Sequence, residues 1–398
     1  MSAVSAVFSP YRKIFAAPGA ASFTAAGFFG RMTLSMMGVG VITLVSQVTG
    51  RYGLAGALAA TFALAAAVIG PQTSRLVDRH GQAKVLRLVT PVAVVAAAGL
   101  LLCLRQDAPE WALFGCAAGI GCAPNVGSMV KARWAEVHRG SPRELHTAYA
   151  WEAVVDEVCY IVGPIVSIGL STAWFPQAGV VLAGGCLTVG VLWLTAQRAT
   201  EPAPHPRTAD GTGLALRSRG LQVLVATYVA IGVIFGSVDV VTVAFAEERG
   251  HKGAASLVLA AYAVGSCVAG IVLGLVHLKG TPYGNWLAGV CAMAVTVLPL
   301  LWAPGLWTLA ALLFVAGLCI APTMITAMPL LERHVPPGQF TEGMSWTGTG
   351  LAIGLAVGSS VSGWAVDASG ADAGYAVPCV AGAAAVAVAL AGGRRLRG

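Results

Sequence analysis

Apolar runs of about 20 residues, the length a helix needs to cross the hydrocarbon of a bilayer, follow one another almost from end to end of this chain. A soluble fold has nowhere to put them. A single hydrophobic core takes a few such segments, whereas here 57% of the 398 residues are hydrophobic and only 10% are charged. Stretches such as Ala57 to Ile69 and Val380 to Ala391 are apolar on nearly every face. They lack the alternation of a barrel strand, so the backbone must satisfy itself within helices.

Glycine, proline and charge clusters cut the chain into twelve predicted spans, at 22–48, 53–75, 85–104, 110–132, 146–172, 176–196, 221–246, 254–278, 284–302, 306–330, 342–366 and 373–392. An even number of crossings puts both termini on one face. Of the 24 Lys and Arg, 19 fall in tails and loops of the face that holds the N-terminus; the other face holds Arg51, Arg105, Arg249 and Lys252, and Arg31 lies within the first span. Basic residues are retained on the cytoplasmic side, so both termini are expected in the cytoplasm of a bacterial-type inner membrane. The net charge of +7 therefore follows topology and implies no nucleic-acid partner. The N-terminal stretch lacks a small-residue cleavage site, so no removable signal peptide is expected. The nine cysteines form no CxxC and no Cys/His cluster, so no metal and no cofactor is expected.

The sequence repeats itself. Residues 50–70 align without a gap on 250–270, placing Gly50, Gly53 and Gly70 on Gly250, Gly253 and Gly270, and Phe62 on Tyr262. Ala123-Pro124 matches Ala321-Pro322, and Trp151 and Gly163 match Trp346 and Gly358, all at nearly the same offset. Six crossings separate equivalent positions, so the halves share one topology and are related by an axis along the membrane normal. The expected organisation is a six-helix bundle over 1–198, a Pro/Gly-rich linker over 199–219 that includes Pro206, Gly211 and Gly213, and a second bundle over 220–398.

After the second span the chain reads Ser74-Arg75-Leu76-Val77-Asp78-Arg79-His80-Gly81-Gln82-Ala83-Lys84-Val85-Leu86. This closely resembles the G-x-L-x-D-R-x-G-R-K-x-x-L signature of the major facilitator superfamily. Ser74 stands for the leading glycine, and Gln82-Ala83 stand for the basic pair. The resemblance implies an all-α membrane protein of twelve helices in two pseudo-symmetric bundles, with a substrate site between them and transport by alternating access. It also implies that Arg75, Asp78, Arg79, Gly81 and Lys84 form a latch on the cytoplasmic side, with Lys131 or Arg133 and the region around Thr341 as partners of Asp78. In the second half His277 replaces the aspartate, so the latch is expected on one side only. Gly163-Pro164 resembles part of a motif of the family's drug–proton antiporters, whereas their fourth-helix arginine and first-helix acid have no counterpart here.

A charge at mid-bilayer costs about 2.5–3.5 kcal/mol on insertion scales, so those present are functional candidates. Arg31, Asp156 and Glu157 lie at a common depth of roughly 13–17 Å from the N-terminal face, counting 1.5 Å per residue. Arg31 is expected to pair with one acid of the dyad. Tyr149, Glu152, Asp156, Tyr160 and Gly163 recur on one helical face, with Glu157 about 100° away. One arginine cannot satisfy two adjacent carboxylates, and an acid left over is what a proton-coupled carrier needs; a purely structural buried ion pair is the alternative. Leu351 and Ala352 occupy the matching positions of the second half. Glu152 reads as a solvated charge at the cytoplasmic mouth, and Tyr160 as cavity wall. Asp239 either binds a cation or cationic substrate, or lines the outer vestibule. Trp151 and Trp346 read as interfacial anchors, and His138, His146 and His334 as solvated helix-end histidines.

The resulting expectation is a monomeric, non-enzymatic secondary transporter in the bilayer, a proton-coupled exporter of a small amphipathic or drug-like molecule. Transport of a polar metabolite such as a sugar or amino acid is the alternative within the class. A non-transporting membrane receptor is the alternative outside it.

Overall fold

The computed structural model describes residues 9–204, 214–251, 254–276, 278–336 and 338–397. His277, Gly253 and the linker stretch from 205 to 213, on which three of the sequence expectations fall, lie outside the described residues. Helices account for nearly everything else. A short helix, α1 (Ser9–Phe15), precedes α2 (Ala20–Thr49), α3 (Tyr52–His80), α4 (Gln82–Arg105), α5 (Glu110–Ile120), α6 (Val126–Val137), α7 (Pro142–Ala173) and α8 (Ala178–Ala196). The second repeat follows as α9 (Arg219–Glu248), α10 (Ala255–Leu275), α11 (Pro282–Thr296), α12 (Leu306–Gly317), α13 (Ile320–His334), α14 (Phe340–Ser369) and α15 (Ala376–Ala391).

Among the described residues, eleven helical segments are long and apolar enough to cross a membrane. The fourth expected span, 110–132, is instead divided between α5 and α6 by a break at Gly121–Asn125, where the Asn125 side chain accepts from the Ser128 N–H and starts the new helix. The tenth span also breaks, between α12 and α13; of the Ala-Pro pairs that align in sequence, Ala123-Pro124 lies in the first break and Ala321-Pro322 in the first turn after the second. The signature segment is not a loop. Helix α3 continues through Asp78 and Arg79 to His80, and Gly81 alone, at φ 88°, joins it to α4. Only glycine takes that left-handed φ without strain.

With no water to drive helices together inside a bilayer, association relies on close approach of backbones over small residues. Gly232 and Gly236 of α9 face Gly350, Gly354 and Gly358 of α14. A Cβ on Gly354 would fall 1.9 Å from the Val229 carbonyl oxygen, and one on Gly232 2.1 Å from that of Leu351. The first repeat uses the same stripe on α7. Ser167 Oγ donates to the Met36 carbonyl at 3.1 Å, and a Cβ on Gly163 would fall 2.1 Å from Ser35 Oγ.

By packing, the described residues form two compact units that are not the two sequence repeats. One comprises residues 9–11, 146–157 and 214–397; the other comprises 12–145 and 158–204. A single continuous helix, α7, thus contributes its first half to the unit built mainly of the second repeat, and its second half to the other.

Candidate functional site

The first half of α7 runs antiparallel to α10, and a stripe of α7 at helical spacing makes the contact. Thr147 Oγ1 donates to the Gly274 carbonyl at 3.0 Å, Ala150 and Val154 lie against Gly274 and Gly270, and at the far end Ser266 Oγ donates to Glu157 Oε1 at 2.7 Å. Gly270 and Gly274, four residues apart, permit the approach. A Cβ on Gly270 would meet Val154 Cγ2 at 2.9 Å, and one on Gly274 would meet Tyr11 Oη at 2.1 Å and the Ala150 Cβ at 3.0 Å.

The last turn of a helix leaves carbonyls without intrahelical donors. At the end of α10 side chains distant in sequence add to the backbone bonds, and one of them meets the Gly274 carbonyl. Tyr11 Oη donates to the Ile271 carbonyl at 2.9 Å, His146 Nε2 lies 3.1 Å from that of Leu273, and Thr147 takes that of Gly274. The Tyr11 ring packs edge-on against Trp151, with centroids 6.1 Å apart, and burial pushes the Tyr11 hydroxyl up to about 12, which keeps it a donor. Trp151 is thus part of this cap and not a free interfacial anchor. His146 is not a solvated histidine either; nor is His138, which stacks on Trp134, nor His334, whose Nδ1 lies 2.8 Å from the Leu330 carbonyl.

Deeper along the same seam, Glu157 is half-buried and Ser266 wholly buried. One turn from Ser266 on α10 stands Tyr262, 8% exposed, whose hydroxyl has no hydrogen-bond partner among the described residues. It lies within coulombic reach of both Glu157 and Asp239. Tyr149 of α7 donates to the Glu332 carboxylate of α13, closing the other side of the helix.

The expected face Tyr149–Glu152–Asp156–Tyr160 is dispersed. Tyr149 and Glu152 are buried, Asp156 is half-buried, and Tyr160 is exposed. Glu152, expected at a solvated mouth, has 0% exposure, because it sits on the buried side of a helix held close to its neighbours. Arg31 is buried within α2. Asp239, in α9, is exposed.

In the other unit the signature residues surround the Gly81 joint. Arg75, Asp78 and Arg79 are half-buried, Gly81 is buried, and Lys84 is exposed. The basic pair of the resembled signature is replaced by a different device. Gln82 donates from Nε2 to the Met129 carbonyl at 3.0 Å, and its Oε1 accepts from Arg133 Nε at 2.8 Å. Arg133, wholly buried, also donates to Thr200 Oγ1 at 2.7 Å and to the carbonyls of Gln197 and Leu194 at 2.7 and 3.0 Å. Glu201 Oε1 in turn accepts from the Ala83 N–H at the start of α4, at 2.8 Å. With its guanidinium committed to Gln82, Thr200 and the end of α8, Arg133 is not the partner of Asp78, which corrects the expectation for that residue.

Sequence reasoning missed Arg133 as a clamp and Ser266, Tyr262 and Tyr11 as contact residues. The four-residue spacing of Gly270 and Gly274 was the available signal for the seam; an isolated serine or tyrosine in an apolar span carries none.

Helices of membrane-crossing length and composition, arranged in two sequence repeats, are the architecture of a multi-pass secondary transporter. The Major Facilitator Superfamily family model matches residues 23–301 and 251–396, so the chain belongs to that superfamily. No curated protein matches it in sequence. Among solved structures, a bacterial homologue of the iron transporter ferroportin in an outward-facing state is similar with a TM-score of 0.76 at 14% identity, over 94% of this chain and 99% of that one. The human organic anion transporter MFSD10 (TETRAN) is similar with a TM-score of 0.70 at 13% identity, over 94% and 99%. A variant of the E. coli fucose:proton symporter FucP gives 0.70 at 14%, over 93% and 97%. At these identities the likeness is one of fold.

Proposed function

We propose that the chain is a proton-coupled exporter of a small amphipathic molecule, with Glu157 as the acid that carries the proton. The observation that supports this most is the hydrogen bond from Ser266 to Glu157. An acid on a first-repeat helix takes its donor from a second-repeat helix, inside the membrane. A carboxylate accepts such a bond with roughly twice the strength of a neutral group. Protonating Glu157 therefore weakens the seam between α7 and α10, and deprotonation restores it. A proton thereby biases an element with two arrangements, which is what coupling requires. Asp156 and Arg31 are proposed as further charged groups of the cycle, and the excess of basic residues on the N-terminal face supports cytoplasmic termini.

Glu157→Gln and Asp156→Asn, tested separately in vesicles with an imposed pH gradient, check the reading. Glu157→Gln is expected to abolish gradient-driven accumulation while leaving counterflow of substrate intact. Gradient-driven transport that survives in both variants overturns the coupling mechanism.

A further inference from the structure

From Thr227 to Ala246 helix α9 is enclosed by protein, and over those positions Asp239 is the single exposed residue. Lipid-facing helices look different. Along α10, Val264, Val268 and Val272 are exposed, as are Val92 and Val95 along α4, whereas α9 presents no large exposed apolar side chain at all. Asp239 is therefore the one exposed position on an otherwise enclosed stretch of α9, and it is an acid, whereas the exposed positions named on α10 and α4 are valines.

Among the described residues, nothing in its own unit neutralises it there. Asp239 makes no hydrogen bond or ion pair with a described residue, and α9 to α15 carry no Lys or Arg apart from Arg219 and Arg333 at helix ends. Two aromatic rings stand beside it. Phe235, one turn earlier on α9, meets the Tyr262 ring edge-on with centroids 6.2 Å apart, and the unpartnered, nine-tenths-buried hydroxyl of Tyr262 lies within coulombic reach of the carboxylate. An acid lacking a counter-charge, a hydroxyl lacking a partner and two aromatic rings together match one ligand chemistry. An ammonium group gives the carboxylate its counter-ion and the hydroxyl a donor, and its charge is attracted to aromatic faces.

We propose that Asp239, Phe235 and Tyr262 bind the ammonium group of an amphipathic amine, which makes a primary or secondary organic cation the substrate class. The proposal rests on the reading of the chain as a carrier of small amphipathic molecules. Glu157, bonded to Ser266 one turn from Tyr262 on α10, keeps the proton-carrying role. Substrate charge and proton thus occupy separate acids that share one tyrosine.

The test is equilibrium binding of 4-phenylbutylammonium and of its uncharged counterpart, 4-phenylbutanol, to the full chain in lipid nanodiscs without any gradient. The cation should bind at least tenfold more tightly than the alcohol. Asp239→Asn should remove that discrimination while leaving alcohol binding unchanged. Tyr262→Phe should weaken the cation several-fold and spare the alcohol, and Asp239→Glu should retain the preference for the cation. Thermal unfolding of each variant reports folding, and if Asp239→Asn does not fold, Tyr262→Phe and Asp239→Glu decide the matter. Equal binding of cation and alcohol to the unmodified chain, or discrimination that persists without the Asp239 charge, overturns the proposal. Because no gradient is present, this result is independent of Glu157. Loss of discrimination with intact Glu157 coupling sinks only the substrate class, and the converse sinks only the coupling.

Discussion

Replacing Thr147 with valine removes one hydroxyl and keeps the shape. Thr147 is 2% exposed, and among the described residues its hydroxyl is the donor to the Gly274 carbonyl, which lies in the last turn of α10 where no intrahelical N–H can reach it. The variant leaves that carbonyl desolvated and unpaired at a cost of about 1–3 kcal/mol. The bonds from Tyr11 and His146 to neighbouring carbonyls remain. At 1.4 kcal/mol per factor of ten, the turn should open about 5- to 150-fold more often. Hydrogen exchange followed by mass spectrometry on a peptide covering Gly270 to Val276 reads that factor directly. Thr296→Val is the control, because the Thr296 hydroxyl bonds to the Ala292 and Met293 carbonyls of its own helix at 2.9 and 3.2 Å and to Cys319 Sγ at 3.8 Å, and to no carbonyl of α10. Exchange over 270–276 that is unchanged in Thr147→Val, or raised equally by the control, would falsify the capping argument.

Arg133→Lys should lower thermal stability markedly despite keeping the charge, because an ammonium cannot reach Gln82, Thr200 and two carbonyls together, and each buried acceptor left unpaired costs about 1–3 kcal/mol. Gly354→Ala should destabilise by about 1–3 kcal/mol, since its methyl would overlap the Val229 carbonyl, whereas Gly363→Ala on the same helix, with nothing within 4 Å, should be close to neutral; both are read by thermal unfolding in detergent. Burial beside Trp134 holds His138 below the ordinary histidine value. The unfolded chain then takes up a proton below about pH 6.5 that the folded chain refuses, so stability present above that pH should fall as pH drops through it. His138→Gln should remove that part of the pH dependence of the melting temperature.

The spans were legible because a bilayer imposes one length and one composition on every crossing, and so was the Gly81 joint, because its backbone demands a residue without a side chain. The division of the fourth span was half legible. Ala123-Pro124 was visible as a repeat match, but a proline in a membrane helix is also tolerated without a break, as Pro71, Pro91 and Pro164 are here. Glu157 stood out because charge is rare at that depth. Its partner Ser266 did not, since one hydroxyl among apolar residues follows no period. Arg133 reads as a loop charge because position relative to a predicted boundary is all that sequence offers. Its burial comes from the carbonyls at the end of α8 and from Gln82 51 residues earlier, a coincidence of tertiary structure.

Duplication also bears on why the first repeat holds the acids. At the common offset, Cys159, Gly163 and Ser167 of α7 correspond to Gly354, Gly358 and Ser362 of α14, so both helices inherit one stripe of small residues. On α14 the stripe is used along its length: Gly350, Gly354 and Gly358 bring it to carbonyl distance of α9, and the backbone oxygens of Leu351 and Leu355 themselves fill the space a side chain would need on Gly232 and Gly236. At the positions that match Asp156 and Glu157, Leu351 is half-buried and Ala352 exposed, and the Leu351 backbone oxygen lies where a side chain on Gly232 would. On α7 the stripe is interrupted, because Val155 stands where α14 has Gly350, and the segment around Asp156 and Glu157 is half-exposed. That interruption leaves α7, one position before the acids, without the glycine that holds α14 against α9. On α14 the full stripe packs against α9, the helix that carries Asp239.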